Sequence, residues 1–375
     1  MSKSVEWSDL LEELLDLIAN RVFSNVELLR VRSICKSWRS AVATNKSFPN
    51  RRNRNRRRFL SHPYGISNEK KCLLSPAALF RVIHSSCPNK GWLLKTQDVS
   101  DLRKKLLFPL SRLVIDSSHK TLDLLEFTVS EIHQSYDAYE YWEKDSVASI
   151  KSYGFARVVL VDNLVFAVDR YKKLWWCNSG EESNNDHVWT RMSDEEAEYF
   201  SDIIVHKGQV YALDLKGAIW WVSLSELKIY QYGPNSTPTG YYDSEYCREY
   251  LKDMRLVEHC GDLCIVYRFC EILIKRPYSL RTIGFKVYKM DEELVKWVQV
   301  NSLGDKAFVM ATDICFSVLA SEYYACLENS IYFTDEEDIN NAKVFKFGDG
   351  PDGSIIKNVN SSSENCFQMF SPPFV

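Results

Sequence analysis

Histidine and cysteine are the side chains best suited to nucleophilic, acid–base or metal chemistry, and in this sequence their spacing is irregular. None of the seven histidines has another histidine four residues away, and none lies at the Cys–His spacing of a zinc site. The nearest approach to a ligand cluster is His259, Cys260, Cys264 and Cys270, whose spacing fits a strand, a turn and a second strand. We therefore predict no metal, no cofactor and no catalytic residues.

Acidic clusters are the other candidate chemistry. Asp194-Glu195-Glu196 and Asp335-Glu336-Glu337-Asp338 could hold a cation or act as acid–base pairs. Both follow strand-like runs, where solvated turns are the commoner structure. A Gly- and Asp-rich stretch at 348–353 lacks the bidentate glutamate and ligand register of a calcium loop. The sequence therefore favours a binding protein over an enzyme.

Composition agrees with an ordinary globular protein. The chain has 375 residues, of which 45% are hydrophobic and 26% charged. No apolar run approaches the 18 residues that a membrane span needs, and acidic residues interrupt the apolar N-terminal stretch where a signal peptide would lie. The eleven cysteines are scattered. We expect reduced thiols in the cytosol or nucleus.

The elements that could bind a partner lie between Trp7 and Val42. Asp9 with Glu12, and Ser24 with Glu27, have the spacing of N-terminal capping pairs, and a third short helix should contain Trp38. The first helix has an apolar arc of about 160°, wider than the roughly 100° of a surface helix. A unit of about 40 residues is marginally stable alone. The excess apolar surface indicates docking to another protein, whereas the alternative is a helical cap on a larger domain.

Two segments of this unit resemble an F-box: Leu10 with 13–18 (ELLDLI), and 32–39 (RSICKSWR). The resemblance implies docking to a Skp-type adaptor and, through it, to a cullin. Leu11 stands where the family has proline, which favours a helix start, so we expect weaker docking but not its loss. The residues predicted to contact the adaptor are Leu10, Leu11, Leu14, Leu15, Ile18, Cys35 and Trp38.

A dense basic tract follows the helical unit. Residues 1–58 hold 13 Lys and Arg against 6 Asp and Glu, although the whole chain has a net charge of −3. Such a tract resists packing and marks a domain boundary. We predict a nuclear-import signal, with a plain solvated linker or sequence-blind nucleic-acid contact as alternatives. Its basic residues are Arg51, Arg52, Arg54, Arg56, Arg57 and Arg58.

An internal repeat dominates the rest of the chain. Three apolar blocks that begin at Val159, Val165 and Leu174 recur at Ile204, Val210 and Ile219, always 45 residues later. This period, with three or four short strands per unit, is typical of propeller blades. We predict a mainly β protein with a small all-α N-terminal module: an F-box at 1–48, a basic linker at 49–60 and a β-propeller of about six or seven blades at 61–375. A short helix is expected over 75–83.

The C-terminal blocks at 302–308, 315–318 and 329–335 resemble plant F-box proteins with a kelch-like, KIB-type propeller domain. Together with the F-box, the resemblance covers nearly the whole chain and implies that the propeller selects a target protein for ubiquitination. A Tyr-rich segment over 230–250 is too long for a tight hairpin, and long exposed loops commonly carry binding residues. Its candidate recognition residues are Tyr241, Tyr242 and Tyr246.

The sequence thus predicts the substrate-recognition subunit of a Skp-cullin-F-box ubiquitin ligase. Its predicted location is the nucleus, with the cytoplasm as an additional location. Its target protein is unidentified. Two alternatives use the same regions: an F-box interaction protein outside a ligase, and a nuclear regulator associated with nucleic acid. A third is a propeller enzyme with a metal or radical site in the channel, which the scattered histidines do not favour.

Overall fold

The computed structural model describes residues 10–11, 13–15, 30–31, 34–44, 58–61, 70–100, 103–115, 126–144, 147–152, 155–180, 188–234, 250–273, 279–291, 295–335, 338–348, 354–357 and 366–373. Near the N-terminus, short helical stretches at 13–15 and 30–31 precede helix α1 (Lys36–Thr44). Within these ranges, no helix combines the length and apolarity needed to cross a membrane.

The remaining described residues are mainly strands, arranged in five sheets. The first sheet contains β1 (Arg58–Ser61), β2 (Lys70–His84), β3 (Gly91–Ser100), β4 (Arg103–Leu107), β5 (Phe127–Lys144) and β6 (Val147–Ser152). It has the order β4-β3-β2-β5-β6, with β1 paired to β2. The second sheet, in the order β10-β9-β8-β7, contains β7 (Phe155–Val161), β8 (Leu164–Asp169), β9 (Leu174–Asn178) and β10 (Thr190–Met192).

The third and fourth sheets are four-stranded meanders. The third contains β11 (Phe200–His206), β12 (Gln209–Asp214), β13 (Ile219–Ser223) and β14 (Lys228–Tyr232). The fourth contains β15 (Tyr250–His259), β16 (Asp262–Leu273), β17 (Ser279–Asp291) and β18 (Lys296–Val300). The fifth contains β19 (Lys306–Met310), β20 (Cys315–Leu319), β21 (Ser330–Asp335), β22 (Asp338–Lys346) and β23 (Ser354–Lys357). Its order is β20-β19-β21-β22-β23, and β19 runs parallel to β21.

One strand from each sheet lines a common central cavity of about 860 Å³: β5, β7, β11, β15 and β20. The sheets are therefore the five blades of a propeller, numbered here in chain order. The predicted count of six or seven blades is wrong for the described residues. The reason is that blade 1 takes up residues 58–152, room for two 45-residue periods, because β2 and β5 are 15 and 18 residues long.

The predicted 45-residue repeat is confirmed as blades 2 and 3, whose first three strands have the same offset throughout. Asp169 at the end of β8 accepts hydrogen bonds from the Lys173 amide and from Trp175 Nε1, both at 2.9 Å. Asp214 at the end of β12 repeats this, accepting from the Ala218 amide and from Trp220 Nε1, again at 2.9 Å. The aspartate thus closes the turn and anchors the indole of the next strand.

The helix predicted over 75–83 is wrong, because these residues belong to β2. Leu79 and Val82 are fully buried between neighbouring elements, which overrides the local helical preference. Pro76 is tolerated because β2 pairs with β1 through residues 71–74 and with β3 through residues 77–83. The proline falls in the gap between these two ladders, where its missing N–H breaks no pairing on that side.

The apolar core lies between blades. In the described part of the chain, one cluster fills each of the five spaces between neighbouring blades, including that between blade 5 and blade 1. In this last cluster, Leu79 and Leu93 of blade 1 pack with Val309 and Tyr332 of blade 5 and with Met369 near the C-terminus. The ring is therefore closed by side-chain packing between the first and last sheets.

Candidate functional sites

The first candidate site is a set of exposed apolar side chains near the N-terminus, which we call the leucine ridge. It consists of Leu11, Leu14 and Ile34, whose side chains are 66%, 47% and 55% exposed. The amides of Leu14 and Leu15 both donate to the Leu11 carbonyl at 3.0 Å, so the backbone forms a helical turn here. Large apolar side chains exposed this far make these residues a candidate contact surface for another molecule.

Among the described residues of the N-terminal unit, one small core cluster is present. Leu15 and Trp38 are buried against each other, with Leu10, Val31 and Cys35 packed around them and partly exposed. Cys35 lies just before α1, and its Sγ accepts the Trp38 amide at 3.5 Å and contacts Ser37 Oγ at 3.0 Å. The hydrogen bond with Ser37, followed by that with Trp38, lowers the pKa of the Cys35 thiol. Cys35 therefore occupies the capping position of the helix that carries Trp38.

The predicted adaptor-binding residues differ in their exposure. Leu11 and Leu14 are accessible to a partner, whereas Leu15 and Trp38 are enclosed and hold the unit together. Leu10 and Cys35 are intermediate, and Ile18 lies outside the described residues. The apolar pattern after the Ser24–Glu27 capping pair predicts a second helix with Ile34 on its inner side. This is wrong for Ile34, which lies at a bend outside any helix just before α1 and is exposed. Its position one residue before the capping Cys35 was the available signal.

The second site is a belt of buried charges at one end of the channel. Arg157 in β7 of blade 2 donates through Nε to Asp202 Oδ1 in blade 3 at 2.7 Å, and through Nη1 to the Thr312 carbonyl in blade 5 at 2.6 Å. The other oxygen of Asp202 accepts the Leu256 amide of blade 4 at 2.8 Å. Arg255, also in blade 4, lies 3.9 Å from Asp202. One network therefore joins four blades.

Blade 1 enters the belt through Asp313, which precedes β20. The carboxylate accepts Lys95 Nζ of β3 at 2.5 Å and Ser135 Oγ of β5 at 2.7 Å. Burial alone would raise the pKa of Asp313, but the charges of Lys95 and Arg112 and the hydrogen bonds from Lys95 and Ser135 hold it well below its ordinary value. The carboxylate is thus ionised, and the belt links all five blades.

Two of the described histidines and one of the acidic clusters have structural contacts. His206 Nδ1 lies 2.8 Å from Glu258 Oε2, which joins blades 3 and 4. Burial lowers the pKa of His133 to about 4, although the charge of Glu258 opposes this; the His133 ring lies 4.6 Å from the Phe316 ring in a tilted arrangement. Asp194 accepts the Glu196 amide at 3.1 Å in a turn. Among the residues that the structure describes, no three potential metal ligands come together.

Asp335 was expected in a solvated turn, and this is wrong. Its side chain is buried and paired at 2.9 Å with Arg268 and at 2.6 Å with Lys343, and the Thr282 amide also donates to it at 3.1 Å. A buried carboxylate with two cations and a backbone donor is a structural anchor between blades 4 and 5.

Several predicted functional residues lie outside the described residues. These are the recognition candidates Tyr241, Tyr242 and Tyr246, and the basic residues Arg51, Arg52, Arg54, Arg56 and Arg57. Arg58, at the end of the basic tract, is the first residue of β1 and pairs with Leu74 of β2. The tract therefore leads directly into blade 1.

A closed ring of five sheets with a helical unit before it defines the chain as a β-propeller protein with an appended N-terminal module. A family model described as KIB1-4 beta-propeller matches residues 65–348. F-box protein At4g35733 of Arabidopsis thaliana is 61% identical over 377 residues, covering 100% of both chains. Putative F-box protein At3g25750 of the same plant is 49% identical, covering 100% of this chain and 99% of its own. The chain belongs to the KIB1-4 beta-propeller family and is a plant F-box protein.

Proposed function

We propose that this protein is the substrate-recognition subunit of a Skp-cullin-F-box ubiquitin ligase. The leucine ridge binds a Skp-type adaptor, the adaptor connects the chain to a cullin, and the propeller holds the protein to be ubiquitinated. The observation that carries the proposal is the exposure of Leu11, Leu14 and Ile34 near a cluster whose buried members, among the described residues, are Leu15 and Trp38. Membership in the family supports it, because full-length relatives are named F-box proteins.

In this role the chain itself catalyses no reaction. The ubiquitin-carrying enzyme is brought by the assembled ligase, and this subunit contributes proximity and orientation, which can lower a barrier substantially without any catalytic side chain. A rigid propeller suits the task, since the buried belt and the five inter-blade clusters hold the blades in a fixed arrangement. The expected product is a polyubiquitinated target sent to the proteasome.

We further propose that the ligase acts in the nucleus. The support is the basic tract, whose charge density matches that of import signals. A solvated linker that merely joins the F-box to blade 1 is the simpler alternative. Nucleic-acid contact is less well supported. Arginines bind phosphates without reading the base sequence, so the tract alone does not indicate recognition of a nucleic acid.

Reconstitution tests the ligase proposal. The full chain is mixed with a Skp-type adaptor, a cullin with its RING partner and a charged ubiquitin-conjugating enzyme. We expect one complex on size exclusion and adaptor-dependent ubiquitin transfer to bound proteins. If the chain binds the adaptor yet never joins the cullin, the F-box works outside a ligase and the proposal is wrong. Proximity labelling with and without proteasome inhibition then identifies the target as the protein that accumulates.

A further inference from the structure

The junction between blades 5 and 1 differs from the other four junctions of the ring. Each of the others joins blades that follow one another in the chain, so the chain itself connects them. Blades 5 and 1 are the last and the first, and their described strands share no ladder of hydrogen bonds. Backbone links across this junction include a one-residue parallel bridge between Gly91 and Tyr323, and two hydrogen bonds of 3.1 Å, from the Tyr324 amide to the Gly91 carbonyl and from the Thr312 amide to the Leu110 carbonyl. Closure of the ring therefore depends on side-chain packing.

A segment near the C-terminus fills this junction. It lies beyond β23, the last described strand, and contains a 3₁₀ turn (Gln368–Phe370). The segment supplies four of the fifteen buried side chains in the cluster between blades 5 and 1: Cys366, Phe367, Met369 and Phe370. In the described part of the chain, the other four clusters are built from two neighbouring blades and the stretches that connect them. The C-terminal segment is therefore an additional element, inserted where the chain supplies no connection.

Tyr332 of β21 anchors the segment to blade 5. Its hydroxyl donates to the Cys366 carbonyl at 3.0 Å, and its ring lies edge-on to those of Phe370 and Phe367, with centroids 5.6 and 6.1 Å away. On blade 1, the Phe108 ring lies 5.9 Å from that of Phe370. Edge-to-face aromatic pairs add stability beyond the area that they bury. Phe370 therefore contacts both blades at the closing junction.

The same junction is connected to the charge belt. Leu110, two residues after Phe108, is fully buried in the cluster that contains the C-terminal segment. Its carbonyl accepts the Thr312 amide at 3.1 Å, and the Thr312 carbonyl accepts Arg157 Nη1 at 2.6 Å. Packing of the segment is thus linked to the belt through one loop of blade 1 and one loop of blade 5.

We propose that residues 366–373 form a latch, an aromatic peptide that binds the groove between blades 5 and 1, holds the ring closed and can be replaced by the same peptide in trans. The groove recognises the apolar side chains of Phe367, Met369 and Phe370. Because the latch is tethered to blade 5, its effective concentration at the groove is high, and an added peptide competes poorly with it in the intact chain. The inference does not depend on the ligase function.

The first test removes the latch. A chain that ends at residue 365 should unfold at a temperature lower by at least about 5 °C, because the junction loses four buried side chains. A synthetic peptide of residues 366–375 should bind this chain saturably in isothermal titration calorimetry and raise its unfolding temperature towards the full-length value. The same peptide carrying Phe367→Ser and Phe370→Ser should bind at least tenfold more weakly. The full-length chain should also bind the unaltered peptide at least tenfold more weakly, because its own latch occupies the groove.

The second test keeps the full chain. Phe370→Ala should speed amide hydrogen exchange in β3 and β21, whose Leu93 and Tyr332 line the groove, and should leave β8 and β12 of blades 2 and 3 as protected as in the wild type. Gln368→Ala, at an exposed residue of the same 3₁₀ turn, is the matched control and should exchange as the wild type does.

Two results of the first test would overturn the latch. The chain that ends at residue 365 could unfold at the full-length temperature, or it could fold and show no saturable peptide binding at millimolar concentration. If that chain does not fold, hydrogen exchange of Phe370→Ala decides the question. Faster exchange spread evenly over all five blades would make Phe370 an ordinary core residue and would overturn the proposal.

Discussion

Arg157 and Asp202 form a buried ion pair with Nε and Oδ1 2.7 Å apart, and they occupy equivalent positions in consecutive blades, one 45-residue repeat apart. The next inner strand continues the alternation, since Arg255 lies four residues before the end of β15, as Asp202 does in β11. If each inner strand carried the same charged residue at this position, like charges would lie side by side around the channel. Alternating the sign of the charge at this position converts that repulsion into a link between blades.

We expect that removing one member of the Arg157–Asp202 pair destabilises the protein more than removing both. Asp202→Ala leaves the Arg157 charge buried without its main acceptor, which should lower the free energy of unfolding by about 3–5 kcal/mol. The double variant Arg157→Met, Asp202→Leu removes both charges and should recover much of that loss. Chemical denaturation of the three proteins measures these differences. If the single and double variants lose equal stability, the pair is not coupled.

The turn aspartates give a second stability prediction. Asp214 is buried and accepts from the Trp220 indole and from the amides of Lys216 and Ala218. Asp214→Ala leaves these donors unmet and should cost about 3 kcal/mol, measured by thermal or chemical unfolding. Asp262→Ala is the matched control, because this exposed hairpin carboxylate is paired at 3.5 Å with Lys289 and its loss should change stability by less than about 1 kcal/mol.

His133 predicts how stability depends on pH. Its folded pKa of about 4, lowered by burial, lies below the unfolded value of 6.5. Between these values the unfolded chain binds the extra proton, so stability should fall as pH drops from 6.5 through 4 and level off below. The loss of unfolding free energy should be on the order of 2 kcal/mol. This is less than the full pKa difference would give, because the residue is partly exposed and solvent screens its charge.

The measurement is unfolding free energy against pH for wild type and His133→Gln. The variant should lack the His133 contribution and show a shallower slope between pH 6.5 and 4. An identical slope in both proteins would mean that His133 is not held neutral.

Sequence patterns predicted the parts of this fold that repeat or that contact solvent. The Val-Phe-Ala-Val-Asp and Val-Tyr-Ala-Leu-Asp blocks, each followed by a Trp-Trp pair, indicated blades 2 and 3 because each blade solves the same packing problem with similar residues. The exposed leucines followed from an apolar arc too wide for a small unit to bury. Both are local signals.

The parts that sequence reasoning missed depend on distant neighbours. Residues 75–83 form a strand because β5, about 55 residues later, pairs along the whole of β2. Asp335 is buried because Arg268, 67 residues earlier, neutralises it. The sequence pattern did not identify Arg157 and Asp202 as partners, because they become neighbours only when blades 2 and 3 pack together. Non-local pairing of this kind leaves no trace in periodicity.

The basic tract yields a prediction about location. Replacing Arg51, Arg52, Arg54, Arg56 and Arg57 with Gln, while keeping Arg58 because it begins β1, should move a fluorescent fusion of the full chain from the nucleus to the cytoplasm. Lys at the same five positions preserves the charge and should preserve the location. Nuclear accumulation that persists in the Gln variant would leave the tract as a linker. Quantitative imaging of the nuclear fraction decides between these outcomes.

Adaptor affinity tests the proposed docking surface most directly. The dissociation constant of the full chain for a purified Skp-type adaptor is measured by calorimetry for wild type, Leu11→Asp, Leu14→Asp and Ile34→Asp. Val295→Asp, at an exposed valine of blade 4, is the control. Each ridge variant should bind at least tenfold more weakly with an unchanged unfolding temperature, because these side chains contribute nothing to the buried Leu15–Trp38 core. Wild-type affinity in all three ridge variants would contradict the assignment of this surface to the adaptor.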